Sequence, residues 1–353
     1  MKTYSASVVG GGSGGRLSLT GLRDSDRYEL VAAVDMREDV CTELKELYPG
    51  LRTFTSHQEL FRECPTDVIC VSTWAPSHRE ITLGALDLPL KGILVEKPLG
   101  DTAAAGRDII EAIKSRNLPM TVPHNMIVQG PGKAVLAAVG DGAIGELQLV
   151  DIESDKWDIM NAGIHWLNYF IALTGNENID RVLALCDTST RTFRDGMQVE
   201  TEAVSYIVTQ SGIRYAQHTG DYIPIKDRDS GCLFRIVGSA GQIEYHNFEK
   251  GFRLQNAEYP AGTFIEPDPE SGSKHQIYLD IMAAQIDGGS TDYRIADRSM
   301  MALEAVEAAY LSSRRKCMVT FPLADFSPPE LTDWDPGMPY GGKGGGRDGR
   351  KLP

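Results

Sequence analysis

The chain has 353 residues and a formal net charge of -14 at pH 7. This length allows two domains, because single hydrophobic cores rarely grow beyond about 250–300 residues. The acidic balance argues against a nucleic-acid partner, which would require a basic face. The sequence has no run of about 18 apolar residues and begins without an apolar signal segment, so we expect no membrane association and a cytoplasmic location.

The six cysteines are scattered along the chain. They form no C-x-x-C pair and do not cluster with histidines. This spacing predicts neither a disulfide framework nor a metal site, and it fits a reducing compartment.

A glycine-rich run follows the first predicted strand, Ser5 to Val9, and leads into a predicted helix, Arg16 to Leu22. Such a run lets the backbone approach a pyrophosphate that lies on the N-terminus of the helix. An ordinary glycine-rich loop or linker would give the same letters. The G-x-G-x-x-G pattern is formed by Gly10, Gly12 and Gly15, with Ser13 and Gly14 between them.

The second predicted strand, Tyr28 to Val34, ends at Asp35, which lies twenty residues after Gly15. A carboxylate at this spacing can accept hydrogen bonds from an adenosine ribose. Its charge would repel a 2′-phosphate, so we expect NAD rather than NADP, although Arg37 nearby favours the opposite choice. The alternative is that Asp35 is the N-cap of a helix over residues 36–47.

Helices and strands then alternate up to Val122, which predicts βαβ units and a parallel, doubly wound sheet. Ligands of such sheets bind beyond the carboxyl ends of the strands. The glycine run, Asp35 and two further segments lie at such ends. The predicted elements are helix 37–47, strand 52–54, helix 57–63, strand 67–71, helix 77–86, strand 92–95, helix 101–116 and strand 120–122; the two further segments include Thr73, Trp74 and His78, and Glu96 and Lys97.

The stretch GILVEKPLG, residues 92–100, places two opposite charges where a buried strand ends. Pro98 prevents further pairing because it has no N–H group to donate. Glu96 and Lys97 form either a solvated ion pair at the strand end or part of the predicted ligand site.

A second candidate segment reads WDIMNAGIHWLNYF, residues 157–170. On a helix, one polar stripe would interrupt an otherwise apolar surface, which indicates a buried helix whose polar stripe lines a cavity. A histidine that is satisfied inside the core is the alternative for a single position. The stripe contains Asp158, Asn161, His165 and Asn168.

From Glu146 onward, short alternating runs predict an α+β domain with a largely antiparallel open sheet. His218, His246 and Tyr222 are equally well explained as strand surface, so they receive no role. The predicted elements are strands 147–153, 182–187, 203–209, 213–218, 234–237, 242–245 and 252–255, a helix at 299–315 and a strand at 318–321.

Residues 5–322 resemble the glucose–fructose oxidoreductase / inositol dehydrogenase / MocA family of NAD(P)-dependent oxidoreductases. The resemblance is carried by G-x-G-x-x-G, by the turn with Thr73, Pro76 and His78, by Glu96-Lys97-Pro98, by residues 141–145 and by residues 236–243. It implies an N-terminal Rossmann domain and a lysine that reaches the nicotinamide and the substrate hydroxyl. It also implies a cis peptide before the proline and subunit contacts through the C-terminal sheet.

The same family places D-x-x-x-H on a helix, followed three residues later by Asp or Asn. His165 and Asn168 fit this pattern, whereas Asn161 replaces the aspartate. An amide cannot take up a proton, so a proton route through that position is in doubt. Asp158 is a candidate substitute.

We therefore predict hydride transfer between a nicotinamide and a secondary alcohol of a sugar, polyol or related hydroxy compound. His165 is the expected base, Lys97 stabilises the alkoxide, and Asn161 and Asn168 orient hydroxyl groups. Two alternatives are NAD-assisted glycoside cleavage or elimination through a transient keto-sugar, and a non-catalytic dinucleotide-binding regulator.

Three segments are expected. Residues 1–123 form the dinucleotide-binding domain, and residues 124–323 form the substrate-binding and oligomerisation domain of a homo-oligomer. Residues 324–353 are rich in proline and glycine. We expect this last segment to be an arm that docks through Trp334 and Tyr340 on its own or a neighbouring subunit.

Overall fold

The computed structural model describes residues 2–128, 130–187, 192–220, 231–247, 249–269 and 271–323. These residues divide into two compact units. The first contains the described part of Met1–Pro123 together with Ser271–Met300, and the second contains the described parts of His124–Glu270 and Met301–Pro353. The division falls at the predicted boundary after residue 123, but Ser271–Met300 packs with the first unit. The predicted arm, with Trp334 and Tyr340, and Tyr222 lie outside the described residues.

The first unit is built on a parallel sheet, as predicted. Its six described strands run in the order β3-β2-β1-β4-β5-β6, and every neighbouring pair is parallel. Strands β4 and β5 are buried along their whole length, which explains their continuous apolar sequences. The strands are β1 Tyr4–Val9, β2 Tyr28–Val34, β3 Arg52–Phe54, β4 Val68–Val71, β5 Gly92–Val95 and β6 Met120–Thr121.

Five helices alternate with these strands among the described residues. Each buries one apolar face and so closes a βαβ unit. The helices are α1 Ser13–Asp24, α2 Glu38–Leu47, α3 His57–Glu63, α4 Ala75–Ala85 and α5 Ala103–Ser115.

The second unit contains a mostly antiparallel sheet, which confirms the predicted α+β class. Its nine described strands run in the order β16-β15-β14-β13-β7-β12-β11-β8-β17, and β7 pairs with β12 in parallel. The strands of the sheet are β7 Leu147–Asp155, β8 Ile179–Cys186, β11 Glu202–Thr209, β12 Arg214–Gly220, β13 Gly231–Gly238, β14 Gly241–His246, β15 Phe252–Asn256, β16 Thr263–Ile265 and β17 Val319–Thr320.

Smaller elements complete the second unit. A separate hairpin pairs β9 with β10. The helices α6 and α7 are linked by a hydrogen bond, which the buried side chain of Tyr169 donates to the carbonyl oxygen of Gly132 at 2.7 Å. The remaining elements are the hairpin strands β9 Thr192–Arg194 and β10 Met197–Val199, a 3₁₀ turn Asn125–Ile127, helix α6 Gly130–Gly140, a π-helical turn Ile159–Gly163, and helices α7 Ile164–Leu173 and α9 Arg294–Arg315, the last of which begins in the first unit.

Helix α8, Lys274–Gly288, was not predicted, and it belongs to the first unit. It packs against α1 at Gly21, where an added Cβ would lie 2.8 Å from the backbone nitrogen of Gln276. Tyr28 donates a hydrogen bond to the carbonyl oxygen of Leu279 at 2.6 Å, and Ser25 donates one to Asp280 at 2.6 Å. Within the described residues, no helix combines the length and apolarity needed to cross a membrane.

The single helix predicted over residues 157–170 is wrong at its start. The chain forms a π-helical turn first and becomes α-helical only from Ile164. The wider π turn takes up an extra residue, which rotates the side chains away from the regular helical spacing. Asp158 therefore lies before the helix as the N-cap of the turn and is not the first member of a stripe.

Candidate functional site

The glycine run lies at the carboxyl end of β1, and at two of its positions backbone carbonyl oxygens exclude a side chain. Gly10 has φ +110°, and an added Cβ would lie 2.4 Å from the carbonyl oxygen of Ser72. A Cβ on Gly15 would lie only 1.7 Å from the carbonyl oxygen of Gly10. Gly12 is different, because nothing lies within 4 Å of a Cβ added there. The loop is tight at Gly10 and Gly15 and open at Gly12.

Asp35 lies at the carboxyl end of β2 and holds this loop in place. Its carboxylate accepts hydrogen bonds from the backbone N–H of Gly11 at 2.9 Å and from that of Arg37 at 3.0 Å. The Nε of Arg37 lies 3.6 Å from the same carboxylate. The N-cap of α2 is Arg37, so the alternative that Asp35 caps this helix is wrong. Each carboxylate oxygen keeps a lone pair for a ribose hydroxyl.

The turn after β4 carries Thr73, Trp74 and His78. Trp74 is exposed, whereas His78 is fully buried in α4. The two ring nitrogens of His78 lie 3.0 Å from the carbonyl oxygens of Thr73 and Pro98. Only an imidazolium could donate to both, but burial lowers the pKa of His78. A neutral ring donates a hydrogen bond to one of these carbonyl oxygens and packs against the other, so His78 lies between the two loops without facing solvent.

Glu96 and Lys97 follow β5 at the same edge of the sheet. Glu96 is buried and Lys97 is half-buried. The peptide bond between Lys97 and Pro98 is cis, as the family resemblance implies. The Glu96 carboxylate contacts Nε2 of His275 at 2.5 Å and accepts a hydrogen bond from the backbone N–H of Lys97 at 3.0 Å. The alternative of a solvated ion pair is therefore wrong for Glu96.

The charge of Glu96 is compensated inside the unit. Burial alone would raise its pKa, but the hydrogen bond and charge of His275, together with the charge of Lys97, lower the pKa below its usual value. Glu96 also lies beneath the glycine run, because an added Cβ on Gly14 would lie 3.3 Å from its Cγ. The predicted cofactor residues of this unit thus surround one edge of the sheet.

These residues fit a dinucleotide. Gly12 is the N-cap of α1 and has no side chain, so the first-turn N–H groups of the helix, beginning at Ser13, face an open approach. A pyrophosphate would be held by this loop and helix end, and an adenosine ribose by Asp35. Lys97 follows β5, which lies two strands from β1 in the sheet and ends at the same edge.

The second unit contains the other predicted residues, beginning with Asp158. One oxygen of its buried carboxylate accepts hydrogen bonds from the backbone N–H groups of Met160 at 3.0 Å and Asn161 at 2.6 Å, and from the Asn161 amide at 3.2 Å. The other oxygen lies 3.2 Å from the buried guanidinium of Arg194, which stacks on the ring of Trp157. This carboxylate supports the turn that carries Asn161.

A second buried carboxyl group meets the same turn. Glu200 accepts hydrogen bonds from the backbone N–H of Ile159 and from the hydroxyl of Tyr310, each at 2.7 Å. Burial, and then the negative charge of Asp158, raise the pKa of Glu200 to about 7. Near neutral pH this group is partly protonated, which reduces repulsion between the two carboxyl groups.

His165 and Asn168 lie on α7, with Asn161 in the preceding turn. Asn161 and Asn168 are buried, while His165 is half-buried and packs edge-on against the ring of His124, with 5.2 Å between ring centres. The surrounding helix is buried, as predicted from its apolar sequence. The half-burial of His165 leaves part of its side chain accessible, and the alternative of a histidine satisfied inside the core stays open.

Four residues near these sites were not identified from the sequence: His124, Arg194, Glu200 and His275. His124, Arg194 and His275 each contact a predicted residue from a distant part of the chain, and the charge of Asp158 acts on Glu200. Lone polar residues in apolar or irregular segments carry no periodic pattern and match no motif, so the sequence gives no signal for these four positions.

Residues 5–124 match a family model described as an oxidoreductase family with an NAD-binding Rossmann fold. This is the model of the glucose–fructose oxidoreductase / inositol dehydrogenase / MocA family. The chain is 24% identical to D-apiose dehydrogenase of Paraburkholderia graminis over 96% of this chain and 95% of that protein. It is 30% identical to inositol 2-dehydrogenase of Pseudomonas syringae pv. syringae over 33% of this chain and 35% of that protein.

A solved oxidoreductase from Agrobacterium radiobacter, in complex with NAD+, L-tartaric acid and magnesium, has a similar fold. Its TM-score is 0.78 at 16% identity, and the match covers 90% of this chain and 98% of that one. At this identity the likeness shows the fold alone. This likeness confirms the predicted fold class. The family model confirms the family resemblance over residues 5–124, and its description as an oxidoreductase family agrees with the predicted oxidoreductase class.

Proposed function

Because residues 5–124 belong to the glucose–fructose oxidoreductase / inositol dehydrogenase / MocA family of NAD-binding oxidoreductases, we propose that this protein is an NAD-dependent dehydrogenase of sugars, polyols or related hydroxy compounds. It transfers a hydride between a secondary alcohol and the nicotinamide. The observation that carries the proposal is the arrangement in the first unit, where the tight glycine loop, Asp35 and the Glu96-Lys97 pair share one edge of the sheet. Names of relatives, D-apiose dehydrogenase and inositol 2-dehydrogenase, support the substrate class.

Bound NAD supplies the acceptor for the hydride, and the protein's own side chains handle the proton and the charge. The ammonium of Lys97 stabilises negative charge as it develops on the substrate oxygen. The imidazole of His165 takes the hydroxyl proton as general base. Asn161 and Asn168 hold neighbouring hydroxyl groups, since an amide can both donate and accept hydrogen bonds.

Asn161 changes the proton route that the family pattern implies. It cannot accept the proton, and the nearest carboxylate in the turn, Asp158, is occupied by two backbone N–H groups, the Asn161 amide and Arg194. We therefore assign Asp158 to supporting the turn, and we propose that His165 releases its proton to solvent.

The first experiment is a panel of sugars, polyols and sugar acids, with NAD reduction followed by absorbance. Lys97→Ala and His165→Ala should each lower kcat by at least about a hundredfold, the usual contribution of a general base or oxyanion partner, with NAD affinity changed much less. Undiminished turnover in either variant would remove that residue from the mechanism.

Product analysis separates the alternatives. Net NADH equal to oxidised product supports a dehydrogenase. A cleaved or eliminated product with no net NADH would point to transient oxidation instead. NAD binding without turnover of any compound on the panel would favour the non-catalytic regulator.

We propose NAD rather than NADP as the cofactor. The Asp35 carboxylate would repel a 2′-phosphate, and its two backbone hydrogen bonds fix its position. Arg37, the cation that could favour NADP, is largely exposed and contacts the same carboxylate. The NADP preference that Arg37 suggested from the sequence is therefore weakened.

We also propose a homo-oligomer formed through the sheet of the second unit. On neighbouring strands β8 and β11, four apolar side chains are exposed on one face. The cross-strand partners are Leu185 with Val204 and Leu183 with Tyr206. A contiguous exposed apolar strip is typical of an interaction surface, and sedimentation of the Leu185→Asp, Tyr206→Asp variant against wild type tests it.

A cytoplasmic location is proposed because all six cysteines are free thiols.

A further inference from the structure

Helix α8 brings His275 from far along the chain to the candidate site of the first unit. The histidine and Glu96 are separated by 179 positions in sequence, yet Nε2 of His275 lies 2.5 Å from Oε1 of Glu96. Both side chains are more than nine-tenths buried. A carboxylate without a partner in such a place would be costly, so this contact, together with Lys97, allows a charge at position 96.

The second oxygen of Glu96 faces the opposite direction. Oε2 accepts the hydrogen bond from the backbone N–H of Lys97 at 3.0 Å. A carboxylate is planar, so a partner that fixes one oxygen also fixes the direction of the other. The orientation of the Lys97 backbone therefore depends on the contact between Glu96 and His275.

The position of His275 is itself closely determined. It lies in the first turn of α8, whose N-cap Ser273 accepts a hydrogen bond from the backbone N–H of Gln276 at 3.2 Å. An added Cβ on Gly21 of α1 would lie 3.1 Å from the Cβ of His275, so the two helices touch at this point. The imidazole has little freedom to leave Glu96.

We propose that His275 is a positioning residue for Lys97: by holding the Glu96 carboxylate, it fixes the backbone from which the lysine ammonium reaches the reacting oxygen. The role of Lys97 rests on the proposed function. His275 itself touches neither substrate nor cofactor in this proposal. Its effect is on the geometry of the reaction, where a displacement of about 1 Å lowers rate by about a hundredfold.

The test compares three variants. His275→Leu removes the donor at similar size, and His275→Gln keeps an N–H at a similar reach. Tyr28→Phe is the matched control, because it removes a different buried hydrogen bond to the same helix, the one to the carbonyl oxygen of Leu279. We expect His275→Leu to lower kcat by about ten- to a hundredfold with KM and NAD affinity changed less than about threefold. His275→Gln should recover part of kcat, and Tyr28→Phe should keep it.

A second measurement does not need turnover. In protein labelled with ¹⁵N-lysine, the backbone amide resonance of Lys97, assigned with Lys97→Arg, should shift in His275→Leu and remain near its original position in Tyr28→Phe. An unchanged resonance, or equal losses of kcat in His275→Leu and Tyr28→Phe, would overturn the proposal. If wild type turns over no compound, the proposed function fails, and the amide resonance still decides the role of His275.

Discussion

Glu200 allows a quantitative prediction about stability. The carboxyl group is buried in the second unit, and its pKa rises from 4.5 to about 7. Between these values the unfolded chain releases the proton while the native protein retains it, so the free energy of unfolding falls as pH increases. A shift of this size corresponds to about 3 kcal/mol, most of which is lost between about pH 5 and about pH 8.

The perturbation is Glu200→Gln. The amide keeps an oxygen for the N–H of Ile159 and a polar group beside Tyr310, but it carries no charge at any pH. Urea unfolding followed by tryptophan fluorescence should show wild type losing about 2–3 kcal/mol more than the variant from about pH 5 to about pH 8. The variant is therefore expected to be the more stable protein at the alkaline end.

The matched control is Glu153→Gln, which replaces an exposed carboxyl group on β7 of the same unit. Its stability should follow wild type within about 0.5 kcal/mol across the range. Parallel pH profiles for wild type and Glu200→Gln would refute the reasoning, because the buried group would then be ionised in the native state throughout.

Further predictions concern the cofactor and the proton. Gly15→Ala should lower Tm by more than about 4 °C, because its Cβ would lie 1.7 Å from a carbonyl oxygen, whereas Gly12→Ala should keep Tm; equal thermal scans would contradict this. Asp35→Asn should reduce the kcat/KM preference for NAD over NADP by at least about tenfold, and an unchanged ratio would exclude charge as the cause. His165→Ala should remove the acidic limb of the kcat/KM pH profile, which a different base would leave in place.

Much of the first unit was predictable because its evidence is local. Strands β4 and β5 are continuous apolar runs, and strands alternate with helices from β1 to α5, so the order of elements indicates the topology. Gly10, Asp35 and Lys97 could be placed together because they all follow strands of one parallel sheet. The ends of the first five helices lie within three residues of the predicted ones, whereas α9 begins five residues before its predicted start, because local propensities define helix ends poorly.

The start of the candidate helix in the second unit could not be predicted in the same way. The stripe was derived from a regular repeat, and a single π turn disrupts that repeat before Ile164. The turn depends on tertiary partners, since Glu200 accepts the N–H of Ile159 and Arg194 pairs with Asp158. Neither partner lies within thirty residues of the turn in the sequence, so no local pattern contains the information.

Helix α8 shows the same limit with a functional consequence. Its sequence follows the strands of the second unit, so position in the chain suggested the second domain, but its buried residues Leu279, Met282 and Ala283 belong to the core of the first unit. The sequence of β5 and the residues after it predicts a charge at Glu96. It does not predict the histidine of α8, His275, that contacts this carboxylate. Chain order therefore misassigns the helix that supplies a buried partner to the strand-end carboxylate, and with it the residue on which we propose the geometry of Lys97 depends.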